Sequence, residues 1–157
     1  MRITAKVDYA VRAAIELAVA QREADGARAP RKGEALATAQ AVPLRFLEGI
    51  LAELRRSGIV GSQRGADGGY WLAKPAATVS VADIIRAVEG PLADVHGTPP
   101  EDVDYPGPAR ALQPVWIATR AALREVLEET TLDHLASGEL PKGVEALAAA
   151  PDAWARR

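Results

Sequence analysis

The chain has 157 residues, 48% of them hydrophobic and 25% charged, with a formal net charge of −2 and no cysteine. That suffices for one core, or a core with an appendage, and excludes disulfides, a thiolate nucleophile and cysteine-held metal. The longest apolar stretch, Ala13 to Ala20, is broken by Glu16 and is too short to span a bilayer. No signal-peptide pattern opens the sequence, so a cytoplasmic location and no membrane partner are expected.

The small net charge speaks against a nucleic-acid partner until its distribution is followed. Residues 1–75 carry 12 Lys/Arg against 8 Asp/Glu, whereas residues 76–157 carry 7 against 13. Phosphate-attracting charge is gathered in the first half. Chance segregation on solvated faces is the plainer alternative.

In chain order, Ile3 to Val19 is predicted helical, with Val7, Ala10, Val11, Ala14, Ile15, Leu17 and Ala18 on a broad apolar stripe. Gln21 to Pro30 reads as a polar loop. Arg31 to Gln40 is a short, alanine-rich helix anchored by Leu36, followed by a turn at Gln40–Pro43 that buries Val42. Pro43 suits a helix start. Leu47, Ile50, Leu51 and Leu54 then recur at helical period, opposite Arg45, Glu48, Glu53, Arg55 and Arg56, and Ser57-Gly58 ends the helix. Ile59-Val60 and Tyr70-Trp71-Leu72 read as two short strands around a glycine-rich turn, Arg64 to Gly69. A helix followed by a glycine-tipped hairpin carrying arginine is the plan of a winged helix-turn-helix.

Beyond the hairpin, Ser80 and Asp83 have the spacing of a capping pair, opening a helix from Val81 to Glu89 that Gly90-Pro91 stops. Asp94 to Pro108 holds four prolines and two glycines, a long connection of the kind that carries function. Pro114 to Ala136 is predicted to be the longest helix. Trp116, Thr119, Leu123, Val126 and Thr130 alternate by three and four, the spacing of a coiled-coil seam, and Leu127, Leu132 and Leu135 widen it. So long a helix exceeds what a small globule covers, which points to dimerisation; the alternative is that it lies across its own domain. A short helix around Val144–Ala149 closes the chain.

The assembled pattern resembles the Rrf2 family of bacterial winged-helix regulators. The resemblance rests on DYAVRAAIELA, VPLRFLEGILAELRRSGIV, RGADGGYWLA and VSVADIIRAVEGP, in that order over residues 1–92. The implied fold is mainly α with a small β-wing: a winged helix-turn-helix domain at 1–92, a proline-rich loop at 93–113 in the effector or cluster-loop position, and a dimerisation helix and tail at 114–157. The family implies a homodimer, a transcription regulator of repressor type, on a pseudo-palindromic operator in double-stranded DNA.

By that resemblance Pro43, Leu44, Arg45, Phe46 and Glu48 stand at the major-groove end of the recognition helix. Arg45 can bond a guanine edge and Glu48 a cytosine amine; Phe46 is expected to pack inward, or else against a thymine methyl. Arg64 at the wing tip reaches a minor groove, unless it is a solvated turn residue. Gly65, Gly68 and Gly69, beside Tyr70, let the backbone approach the sugar–phosphate. Arg55, near the helix end, serves a phosphate or the helix dipole. Dimerisation falls to Trp116, Thr119, Leu123, Val126, Leu127 and Thr130.

Many family members sense through a cysteine-held cluster, and here Leu92 to Ala111 has none. One Asp8 and one His96 cannot replace thiolates, so no cofactor and no metal are expected. His96 and Tyr105 instead mark a possible small-ligand loop near Trp116. A protein effector on the acidic C-terminal half and constitutive binding are the alternatives. A winged-helix adaptor that has lost DNA binding is the second reading. An enzyme lacks support: His96 and His134 are 38 positions apart, with no nucleophile motif or phosphate-cradling loop.

Overall fold

The structure, a computed structural model, describes residues 2–155; the outermost residues of the expected 1–92 and 114–157 spans lie outside it. Its centre is α1 (Ala5–Glu23), which packs against four helices and one strand. Thr4 caps it, its hydroxyl accepting from the Val7 amide at 3.2 Å. The buried face of α1 is mostly alanine (Ala10, Ala13, Ala14, Ala18, Ala20) with Val7 and Leu17. Small side chains let the neighbouring backbones approach closely, which is how one helix serves so many partners. It runs four residues past the expected Val19 because Gln21 is engaged: its side chain donates to Lys74 O and accepts from the Ala76 amide at 2.9 Å.

The helices α2 (Gly33–Gln40) and α3 (Leu44–Arg56) form the helix-turn-helix. The turn takes Ala41 into the left-handed region at φ +52° and buries Val42. On α3, Leu47, Ile50, Leu51 and Leu54 are all buried, as their spacing predicts. Gly58, at φ +72°, turns the chain so that the Ile59 amide reaches Leu54 O at 3.0 Å. The strands β1 (Val60–Gln63) and β2 (Gly69–Leu72) pair antiparallel, with Val60 opposite Leu72 and Gln63 opposite Gly69. Next, α4 (Val81–Glu89) opens with the expected capping box: the Asp83 amide donates to Ser80 Oγ at 3.1 Å and the Ser80 amide to Asp83 Oδ2 at 3.0 Å.

The C-terminal third departs from the single helix expected over 114–136. The helix α5 spans Leu112–Leu127, and the chain breaks before α6 (Leu132–Ser137). Two threonines cause the break. The Thr131 hydroxyl accepts from the His134 amide at 3.3 Å while its own amide donates to His134 Nδ1 at 3.2 Å, starting a new helix. Thr130 O accepts from the Val81 amide, and the Leu132 amide donates to Val79 O, so this stretch is stitched to the entrance of α4. Leu132 is fully buried in the core and Thr130 is 7% exposed. Residues 130–137 therefore pack with the winged unit, and α5 is 16 residues, about 24 Å at 1.5 Å per residue. A last helix, α7 (Lys142–Ala148), is followed by a turn in which the Trp154 indole donates to Ala148 O.

Candidate nucleic-acid interface

The wing and the start of α3 meet at one glycine. A Cβ on Gly33, the first residue of α2, would lie 3.5 Å from Tyr70 Cε2 and 3.6 Å from Leu44 Cδ1. The Tyr70 ring in β2 and the Leu44 side chain at the head of α3 thus close over the same spot. Arg31 reinforces the junction by pairing with Tyr70, both amide-to-carbonyl bonds being 2.8 Å. The hairpin is thereby hung beside the N-terminal end of α3, where Pro43, Arg45 and Glu48 are exposed.

Several glycines are explained by this packing rather than by an outside ligand. Gly68 is buried, and a Cβ there would overlap the Gln63 carbonyl and the Arg64 backbone. Gly69, at φ +147°, faces the Arg31 carbonyl too closely to tolerate a Cβ. Gly65, at φ +107°, has open space around it and needs glycine for its conformation alone. The close approach expected of Gly68 and Gly69 is therefore to the protein's own backbone.

Phe46 does not pack inward. It is 45% exposed and meets Tyr9 of α1 edge-on, the ring centroids 5.7 Å apart at 84°. The Arg12 guanidinium lies 5.5 Å from the Tyr9 ring and also bonds Gln40, fastening the end of α2 to α1. Arg55 sits at the far end of α3 and donates to Ser62 Oγ at 3.2 Å, bracing the base of the hairpin. Arg64 is exposed at the wing tip.

The sequence reading missed three cations. Lys32 donates its ammonium to Gly65 O at 2.7 Å, hooking the wing tip to the start of α2. The Arg28 guanidinium lies 3.6 Å from the Trp71 ring centroid and bonds the Gln63 side chain. A Cβ on Gly61 would strike the Trp71 indole, so that ring also depends on a glycine opposite. Arg31 pairs with Glu23 at 2.9 Å. The signal was present: three basic residues in five, Arg28 to Lys32, just before a helix-turn-helix. Lys32 and Arg45 adjoin the Gly33 junction in the chain, Arg64 is exposed at the wing tip and Arg28 stacks on Trp71, a set of cations suited to a polyanion.

A model of the Rrf2 family, described as iron-dependent transcriptional regulators, matches residues 3–138. The chain belongs to the Rrf2 family. Among Rrf2 relatives, it is 48% identical over 148 residues to Rv1287 of Mycobacterium tuberculosis, whose name makes it provisionally an HTH-type transcriptional regulator, covering 94% of this chain and 89% of that one. It is 36% identical to the HTH-type transcriptional regulator CymR of Bacillus subtilis, over 87% and 91% of the two chains. The solved structure of B. subtilis CymR, titled the global cysteine regulator, superposes with a TM-score of 0.72 at 34% identity, over 88% of this chain and 98% of that one. That of T. potens IscR gives 0.68 at 32% identity, over 88% and 89%. As an Rrf2 protein the chain is a transcription regulator and not an enzyme, and its winged helix with a two-stranded wing is that of these neighbours.

The family description raises iron, and the side chains present do not fit a cysteine-held cluster. The chain has no cysteine. Asp8 is paired with Arg12 at 3.1 Å, and His96 is exposed in the proline-rich segment at φ +55°. Among the described residues no three His, Cys, Asp or Glu side chains gather as a metal site. In that segment Tyr105 accepts a bond from the Trp116 indole at 3.0 Å. The cavity of about 190 Å³ beneath it has neither His96 nor Tyr105 on its wall. Among the expected seam residues, Trp116 and Thr119 are exposed, and Leu123, Val126 and Leu127 are half-buried. Thr130 lies off the helix, its hydroxyl donating to Val126 O at 2.8 Å.

Proposed function

We propose that the chain is a homodimeric DNA-binding repressor that reads a pseudo-palindromic operator and works without a cysteine-ligated iron–sulfur cluster. The observation that carries this reading is the Gly33 junction, where Leu44 of the recognition helix and Tyr70 of the wing both pack against the same glycine. With those two elements joined, Arg45 can address a guanine edge and Glu48 a cytosine amine in the major groove, while Arg64 enters the neighbouring minor groove. Lys32 holds the wing tip in place. Arg28 and Arg55 are available to the phosphates on either side, where contacts position rather than specify.

Two copies are needed to read a two-fold site at fixed helical phase. The α5 helix supports this: Leu112, Val115, Trp116 and Ile117 are each between 38% and 51% exposed, and Thr119, Leu123 and Val126 continue the stripe. Repression is the simplest consequence of an occupied operator.

A gel-shift titration against genomic fragments in varied salt tests the reading. Bound fragments are expected, with log affinity falling linearly in log salt at about −0.9 per neutralised phosphate. No shift with any fragment would overturn DNA binding and leave a protein-interaction adaptor. Leu123→Glu should sediment as a monomer and lose operator affinity together; a variant that stays dimeric places the seam elsewhere.

A further inference from the structure

Between the end of α4, the proline-rich segment and α5 lies the cavity of about 190 Å³, room for about six waters at ~30 Å³ each. Three guanidinium groups line it: Arg86 from α4, and Arg120 and Arg124 one turn apart on α5. Like charges at that spacing repel, and three carboxylates stand against them, those of Asp83, Glu101 and Glu128. Arg86 has two of them, Asp83 at 3.6 Å and Glu128, and Glu128 also stands 3.7 Å from Arg124 Nε. It is the one carboxylate within 4 Å of Arg124 among the described residues, and 3.7 Å is beyond hydrogen-bond reach.

Arg120 is satisfied differently. Its side chain is 17% exposed, and its Nη1 is 2.6 Å from Glu101 Oε2. The Arg120 hydrogen bond is the main reason the Glu101 carboxyl is held below the usual carboxylate range, so it is an anion at neutral pH. Gln113 straps that part of the segment to α5, donating to the carbonyls of Pro100, Glu101 and Val103 at 3.3, 3.1 and 2.9 Å. Leu92 and Pro99 supply an apolar wall to the same cavity. Glu101, its side chain half exposed, thus sets a carboxylate on Arg120 at the wall of an arginine-lined cavity that also has apolar residues.

We propose that this cavity binds a small organic monocarboxylate, whose carboxylate replaces Glu101 on Arg120 while its apolar body lies against Leu92 and Pro99. The planar guanidinium fork matches a carboxylate in geometry, and Arg124 supplies a second donor. Asp94 and the displaced Glu101 share the cavity wall and disfavour a more highly charged anion. Displacement removes the Arg120 tie between the Glu101 stretch and α5, the helix assigned to dimer contact, and leaves the Gln113 bonds as the other. That last coupling rests on the proposed function; the binding itself does not.

Isothermal titration of the full chain with isovalerate, butyrate and pyruvate tests it, in low-salt buffer free of other carboxylates. Isovaleramide and inorganic phosphate are the comparators. Saturable binding of at least one acid is expected, about tenfold tighter in Glu101→Gln, which removes the internal competitor, and lost in Arg120→Gln. No saturable binding of any of the three acids to either wild type or Glu101→Gln overturns the proposal. Equal binding of isovaleramide overturns its ionic basis, and preferential binding of phosphate overturns the ligand class. Should Arg120→Gln fail to fold by circular dichroism, Arg124→Gln takes its place: weaker binding there with tighter binding in Glu101→Gln is expected, and unchanged affinity in both refutes the site. Since no DNA is present, a failed titration leaves the operator reading standing, and a failed gel shift leaves the titration standing.

Discussion

Two amphipathic helices of similar length meet opposite fates in this molecule. On α3, 13 residues long, Leu47, Ile50, Leu51 and Leu54 are at most 1% exposed. On α5, 16 residues long, no residue is buried, and Leu112, Val115, Trp116 and Ile117 are at least 38% exposed. The difference lies in what surrounds them. The apolar face of α3 closes against the alanine face of α1 and the body of α4, while α5 is held along one flank by Gln113 and Arg120 and left open along the other. A free helix of about 12–15 residues is marginal in water, so α3 is fixed by its own core and α5 calls for cover from outside it.

Cutting one side chain from each helix breaks or sharpens that contrast. Leu54→Ala should cost about 2–5 kcal/mol, because a fully buried leucine leaves a cavity its neighbours fill only in part. Val115→Ala should stay within about 0.5 kcal/mol in urea unfolding of dilute, monomeric protein, and weaken only the concentration-dependent part of stability. Similar losses from both at low concentration would erase the distinction.

A smaller effect separates two wing glycines that look alike in sequence. Gly68→Ala drives a Cβ into the Gln63 carbonyl and should cost about 1–3 kcal/mol, with early hydrogen exchange of the hairpin amides. Gly65→Ala meets open space and bears only its φ of +107°, about 1 kcal/mol. The reverse order of melting temperatures would show that the wing is not closed on itself in this way.

These cases mark where the sequence was legible. Periodicity placed α3 and α4 closely, because each carries its own stop signals: Pro43 and Gly58 around one, Ser80 and Gly90 around the other. The same periodicity misled at Thr130, which sits in register with Val126 as though on one helix. What ends α5 there is tertiary, the bonding of Thr130 and Leu132 to the backbone at Val79 and Val81, and no local pattern announces it. Phe46 was misjudged for a related reason: a lone aromatic on a recognition helix reads as core until Tyr9 is seen beside it. Lys32 and Arg28 were passed over because their roles, a hook on Gly65 O and a stack on Trp71, join residues more than thirty positions apart.

The smallest expected effect concerns the flank on which α5 is held. Arg120 depresses the Glu101 carboxyl pKa, so the pair's contribution is present above the carboxylate's unfolded value and lost as pH falls through its folded one. Glu101 is half exposed, so water screens the pair and global stability should barely move. The local contact should respond. Carboxyl NMR of Glu101 is expected to titrate below the ordinary carboxylate range in the wild type and at higher pH in Arg120→Gln, with the indole signal of Trp116 unchanged above the transition. An ordinary Glu101 titration in the wild type would mean that α5 is not clasped through Arg120, leaving Gln113 as its tie to the proline-rich segment and removing the internal carboxylate on which the ligand site is built.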